Sequence, residues 1–244
     1  MTRLHGGGAR IWYLPIAVVA GIGLSVLVLQ TLNGGVTDSE ILNSQFLTDR
    51  LVRHLELVGV SFAVVAVIGV PLGVLMAKSG RFVQVPVFLV ANLGQAIPSI
   101  SILVLFYAYF GLGLFPTLLA LIVYALLPVL RNTLVGVQGV DPAAVEAARG
   151  MGMTAWQSLW LVELPLASPV IFAGLRTALV LIVGTATLGN FVGGGGLGDV
   201  IASGIDQSDR IVFVGAVMVA ALALLADWAL SLVERVVVPR RITQ

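Results

Sequence analysis

Long apolar runs separated by short polar stretches dominate this chain. Six runs reach the roughly 20 residues a helix needs to cross hydrocarbon: Ile11–Leu32, Leu57–Ala77, Val83–Phe110, Phe115–Val135, Pro169–Val192 and Ile211–Val233. They are apolar on all sides, so helical periodicity says little. The element type follows instead from the solvent: in lipid every backbone N–H and C=O must be bonded within its own segment, which selects helices. The pattern predicts an all-α, polytopic membrane protein with six transmembrane helices. The first run is longer than a signal-peptide core and no clear small-residue cleavage site follows it, so it is read as an anchor.

Composition agrees with this reading. Hydrophobic residues make up 59% of the chain and charged residues 10%, against about 25% charged in soluble domains. A net charge of +1 gives no reason to expect a nucleic-acid partner. Basic residues set a direction. With the N-terminus in the cytoplasm, nine of them fall inside (Arg3, Arg10, Lys78, Arg81, Arg131, Arg149, Arg235, Arg240, Arg241) and three outside (Arg50, Arg53, Arg210), while Arg176 lies within a span. Three segments are expected: residues 1–50 as tail, first span and outer loop, residues 51–233 as the transmembrane domain with a polar loop at 136–168, and residues 234–244 as a cytoplasmic tail.

Several spans carry polar or helix-breaking residues. The third holds Asn92, Gln95 and Pro98 and is long for one straight helix; the fourth contains Pro128, and the fifth Gly184, Gly189 and Asn190. Asn92, Gln95 and Asn190 are candidates for a translocation path, though amides also hold membrane helices together. Arg176 and Asp227 are expected to pair between the fifth and sixth spans near their cytoplasmic ends, as a staple or a gate; an arginine snorkelling to lipid phosphate is the alternative. The aromatic cluster Phe106, Tyr107, Tyr109 and Phe110 fits an interfacial belt better than a cation-binding cage.

The polar stretch between the fourth and fifth runs divides into two short helical pieces. Asp141-Pro142 makes a helix start, with aspartate as N-cap and proline in the first turn. Alanines 143, 144, 147 and 148 favour helix, and Gly150 and Gly152 end it. Thr154 caps a second piece through Trp156, Leu159 and Trp160, which Leu164-Pro165 is expected to stop before the fifth span. Such a helix, held crosswise under the bundle, can sit in a partner's groove. An amphipathic loop anchored at the membrane surface by its tryptophans is the other reading.

Catalytic equipment is missing. Lys78-Ser79 lacks both glycines of a phosphate-binding loop, because positions 72 and 77 are Leu72 and Ala77. The run Gly193 to Gly198 matches G-x-G-x-x-G but follows a membrane span, not a strand, so a tight outer turn or gate hinge is expected. His5 and His54 lie far apart and no cysteine is present, which leaves no metal site in view. No catalytic residues and no cofactor of the chain's own are expected.

One spacing is specific. Glu146-Ala147-Ala148, then Gly152, then Val162-Glu163-Leu164-Pro165 resembles the E-A-A, G, I-x-L-P signature of membrane subunits of binding-protein-dependent ATP-driven importers, with valine for isoleucine. Gln95-Ala96-Ile97-Pro98-Ser99 and Gly189 to Gly198 followed by Asp199-Val200-Ile201 look like the glycine betaine/choline/carnitine permeases. The similarity covers approximately Leu51 to Val233. It implies a multi-pass protein of a bacterial or archaeal cell (inner) membrane with both termini cytoplasmic. It also implies a cytoplasmic coupling helix in which Glu146, Ala147, Ala148 and Gly152 dock on an ATPase. The implied partners are an ATPase dimer that uses the ATP, an extracytoplasmic solute-binding protein, a second or sister permease, and membrane lipid. Two rivals remain at this point: an amino-acid or methionine importer, and an ion-coupled secondary transporter or channel.

Overall fold

The computed structural model describes residues 43–238 and five isolated positions before them (Pro15, Ile16, Val18, Val19 and Gly23). Apart from those five positions, the expected first span lies outside the described residues, as does most of the C-terminal tail. Among the described residues the fold is all-helical. In chain order these are α1 (Ser44–Lys78), α2 (Arg81–Ala96), α3 (Ser99–Phe110), α4 (Leu114–Gln138), α5 (Pro142–Gly150), α6 (Ala155–Ser158), α7 (Leu164–Ala186), α8 (Leu197–Ile205) and α9 (Asp209–Val237). A π-helical turn (Leu159–Glu163) joins α6 to α7, and a 3₁₀ turn (Thr187–Val192) ends α7.

Four helical stretches, α1, α4, Ala155–Val192 and α9, are long and apolar enough to cross a membrane; the bent pair α2–α3 makes a fifth if counted as one crossing. The expected straight span Val83–Phe110 is corrected here: it is two helices meeting at 99°. Proline is the cause. Pro98 has no N–H to continue a helix, and its ring forces the preceding Ile97 into extended backbone, φ −76° and ψ 131°.

The centre of the bundle is α4, which packs most extensively against α1 and α7. Leu57 and Val65 of α1, Leu121, Ala125 and Val129 of α4, and Ala178, Ile182 and Val183 of α7 form one buried core. Close approach of α1 to α4 depends on small residues. A Cβ on Gly73 would sit 2.6 Å from Thr133 Cβ, and one on Gly69 2.9 Å from Val129 Cγ1. Spaced four apart, the two glycines open one face of α1 to the neighbouring helix, the device that lets membrane helices pack without a hydrophobic driving force between them.

Pro128 inside α4 deprives the Tyr124 carbonyl, four residues earlier, of its helical donor. The Gln95 side-chain amide on α2 donates to that carbonyl at 3.1 Å. Gln95 is thus engaged in holding α2 against α4 at the carbonyl that Pro128 frees. Asn92, one turn earlier on α2, is exposed, and Asn190 lies half-buried in the 3₁₀ turn, far along the chain from both.

Two side-chain changes separate these roles. Gln95→Leu leaves the Tyr124 carbonyl without a donor and is expected to cost about 1–3 kcal/mol. Asn92→Leu should change stability by no more than about 0.5 kcal/mol. Thermal unfolding of the purified protein in detergent checks both; equal behaviour of the two variants would contradict the bond's importance.

Candidate coupling and gating site

The segment between α4 and α7 is built from local signals. Asp141 Oδ1 accepts from Ala143 N–H at 2.9 Å, and Pro142 opens α5. Glu146 and Ala147 face out, whereas Ala148 is 1% exposed and seats the helix against the protein. After α5, Gly152 takes φ +82°, a left-handed geometry that an L side chain resists. Met153 N–H then bonds back to the Ala148 carbonyl. Thr154 and Gln157 form a reciprocal capping box at the start of α6. The Trp156 and Trp160 rings meet edge to face at 5.5 Å, with Trp156 67% exposed.

The expected helix stop at Leu164-Pro165 is not there. Leu164 N–H reaches back five residues to the Leu159 carbonyl, so the backbone widens into a π turn and runs on into α7 with Pro165 in its first turn. A proline costs little in a first turn, where its missing N–H has no obligatory partner. From Ala155 on, the segment is therefore continuous with a membrane span. Glu163, in the π turn, is 4% exposed; it forms an ion pair with Lys78 at the end of α1 and accepts from Ser158 Oγ at 3.5 Å.

Deeper along α7, Arg176 Nε lies 2.9 Å from Asp227 Oδ1 of α9. The same guanidinium donates through its Nη2 to Glu234 Oε2 at 2.9 Å. Glu234 did not enter the sequence reading. It stands seven residues, or two turns, after Asp227 and so on the same helix face, which was the available signal.

The opposite end of the bundle holds a second cluster. Here α1 begins at an Asn43 cap, well before the expected start at Leu57, and its first turns carry Arg50, Arg53 and His54 on one face. Arg50 pairs with Asp199 of α8 at 2.6 Å, and Arg53 Nε donates to the Gly194 carbonyl at 2.9 Å. His54 is fully buried and bridges two elements. Leu197 N–H donates to its Nδ1 at 3.3 Å, which leaves Nε2–H to donate to the Val183 carbonyl at 3.2 Å. Burial raises the Asp199 carboxyl above its ordinary value, and the Arg50 and Arg53 guanidiniums oppose that rise.

These contacts clasp the glycine run. Gly193, Gly195 and Gly196 all take positive φ, and a Cβ on Gly194 would fall 2.4 Å from Thr117 Oγ1. The run joins a 3₁₀ turn to the short helix α8, with no strand before it, so the βαβ context of a dinucleotide site is lacking. Helix α8 itself, inserted before α9, was not foreseen.

Residues 69–238 match the family described as binding-protein-dependent transport system inner membrane component, and the chain is a member of that family. It is similar to the carnitine transport permease protein OpuCD of Listeria monocytogenes, 42% identical over 201 residues, covering 81% of this chain and 89% of that one. It is also similar to the glycine betaine/carnitine/choline transport system permease protein OpuCB of Bacillus subtilis, 39% identical, covering 77% and 87%. Among solved structures, one of the inward facing conformations of the MetNI methionine ABC transporter shares the fold. Its TM-score is 0.71 at 26% identity, covering 80% of this chain and 98% of that one. The chain is thus a multi-pass membrane permease subunit of an importer.

Loss of the His54 bridge has a defined cost. His54→Leu removes the partner of two buried backbone groups and is expected to destabilise the protein by about 1–3 kcal/mol for each group left unpaired. Glu56→Ala, which removes an exposed partner of Arg53, should cost less than about 1 kcal/mol. Thermal unfolding, with limited proteolysis of residues 193–205, measures both. No shift in the His54→Leu variant would contradict the bridge.

Proposed function

We propose that this permease carries a compatible solute of the glycine betaine, choline or carnitine kind across the cell membrane, driven by ATP that a separate subunit hydrolyses. The coupling end of the bundle, residues 141–163, lies in the cytoplasm with Lys78, Arg81, Arg149 and Arg235, in keeping with the basic bias of inner loops. Both termini are cytoplasmic, and the first run is a sixth span. A solute-binding protein delivers the substrate to the opposite face, and a second permease copy or a sister chain completes the pathway.

The observation that carries the reading is the construction of α5. It presents Glu146 and Ala147 outward on a capped helix, anchors itself by the buried Ala148, and is joined by the Gly152 turn to α6, which runs without a break into α7. An ATPase that grips this surface displaces a membrane span directly. The path opens inward at rest, and closure of the ATPase dimer draws the coupling helices together and opens the outer face. The equilibrium shifts only as far as the ATP-bound partner prefers one state over the other. The outer clasp of Arg50, Arg53 and His54 on the glycine turn is the contact set that such a motion must load.

The substrate class rests on the two similar permeases, whose names specify carnitine, glycine betaine and choline. The MetNI likeness concerns the bundle and does not select methionine.

Glu146→Lys or Gly152→Asp is expected to abolish ATP-driven uptake while membrane insertion persists. Uptake of labelled glycine betaine into cells, with carnitine, choline and methionine as competitors, measures both activity and substrate class. Undiminished uptake by both variants would contradict the docking role, and competition by methionine alone would contradict the substrate.

A further inference from the structure

The only lysine of the chain, Lys78, occupies the last turn of α1 and pairs with Glu163 in the π turn that leads into α7. The two partners differ in exposure: the Lys78 side chain is 46% exposed and that of Glu163 6%. Arg149 of α5 and Trp156 of α6 line the same cavity of about 320 Å³ beside them, together with Ser158 and Leu159. A carboxylate has thus been kept within a run that is otherwise apolar from Leu159 to Leu166. A buried ion pair adds little net stability over a well-packed apolar replacement, because desolvation offsets the attraction; its best-attested use is to fix register between elements. Helical π turns are themselves frequent at functional positions.

From this placement we infer that Lys78 and Glu163 are positioning residues of the transport cycle, forming a strut that carries displacement of the coupling segment to α1 as well as to α7. Covalent continuity delivers the motion of α5 and α6 to α7 and, through residues 139–141, to α4. Helix α1 has no peptide link to that segment, and α1 is the helix whose far end clasps the glycine turn through Arg50, Arg53 and His54. With the strut in place, one movement at the coupling end reaches both α1, whose His54 bonds Leu197 and Val183 at the opposite end, and α7, which carries Val183. Without it, α1 follows only through its packing against α4 and α7. Glu163 is left buried without its lysine, and Arg149 across the cavity is the cation that could take its place.

The inference rests on the ATP-driven reading above, and the test separates the two. The permease is assembled with its ATPase and binding protein in proteoliposomes, and glycine betaine uptake and ATP hydrolysis are measured in the same vesicles. Lys78→Met is expected to lower the solute moved per ATP by about tenfold, within the usual range of allosteric coupling, with hydrolysis within about twofold of the unaltered complex. Lys78→Arg should keep coupling intact, and the exchange Lys78→Glu with Glu163→Lys should recover part of it. Because the chain lacks cysteine, spin labels can be placed at Ser79→Cys and at Ala143→Cys, an exposed position of α5 outside the docking residues. Their separation should hold between nucleotide-free and ATP-bound states and change when Lys78→Met is added. An unaltered transport ratio in Lys78→Met, or a label separation indifferent to it, overturns the strut. Uptake by the unaltered complex without ATP overturns the importer reading beneath it.

Discussion

A backbone polar group surrounded by hydrocarbon has no water to fall back on, and this constraint organises the whole molecule. Three irregular places show how a lost backbone partner is replaced. Where Pro128 withholds a donor from Tyr124, the Gln95 amide of a neighbouring helix supplies it. Where Pro165 follows the coupling segment, the chain widens to i→i+5 bonding and remains helical. Where the backbone leaves regular structure near the glycine turn, Arg53 and His54 bond the Gly194, Leu197 and Val183 groups. The polar residues of the bundle are largely employed in this way.

That economy bears on mechanism. A transporter must move without exposing unpaired backbone at intermediate positions. The bundle concentrates its irregular backbone at identifiable places: the 99° break in α2–α3, the proline site of α4 and the π turn before α7, with the glycine turn before α8. Between them α1, α4 and α7 share a close-packed core in which glycines at 69 and 73 fit against α4 side chains. Packed interiors shift between discrete arrangements and do not deform continuously. Motion is thereby expected at the irregular places, with the three core helices moving as stiff bodies. One guanidinium set against two carboxylates, Arg176 with Asp227 and Glu234, ties α7 to α9 in the half of the bundle nearer the coupling segment.

Local signals in the sequence carried far. Asp141-Pro142, Gly152 and the Thr154 cap specify α5 and α6 because capping is settled within a few residues. The apolar runs give four of the crossings because lipid leaves helices no alternative. Arg176 with Asp227 was legible because unpaired charge in a span is costly. What escaped was tertiary. The union of Gln95 with Tyr124 depends on two helices meeting, and Pro128 gave only half the clue. The break at Pro98 was visible as a proline, but its angle is set by how α3 packs against α4. Glu163 stood within a quoted motif, yet nothing local paired it with Lys78, 85 positions away. The proline at 165 was over-weighted because a π turn leaves no compositional trace.

The central claim is that residues 141–163 form a cytoplasmic lever gripped by the ATPase. A cysteine introduced as Glu146→Cys in this cysteine-free chain can be probed with a membrane-impermeant maleimide from either side. The account predicts labelling in inside-out vesicles, none in intact spheroplasts, and protection when the ATPase subunit is restored to stripped vesicles. Labelling from the exterior, or labelling unchanged by the ATPase, would contradict it.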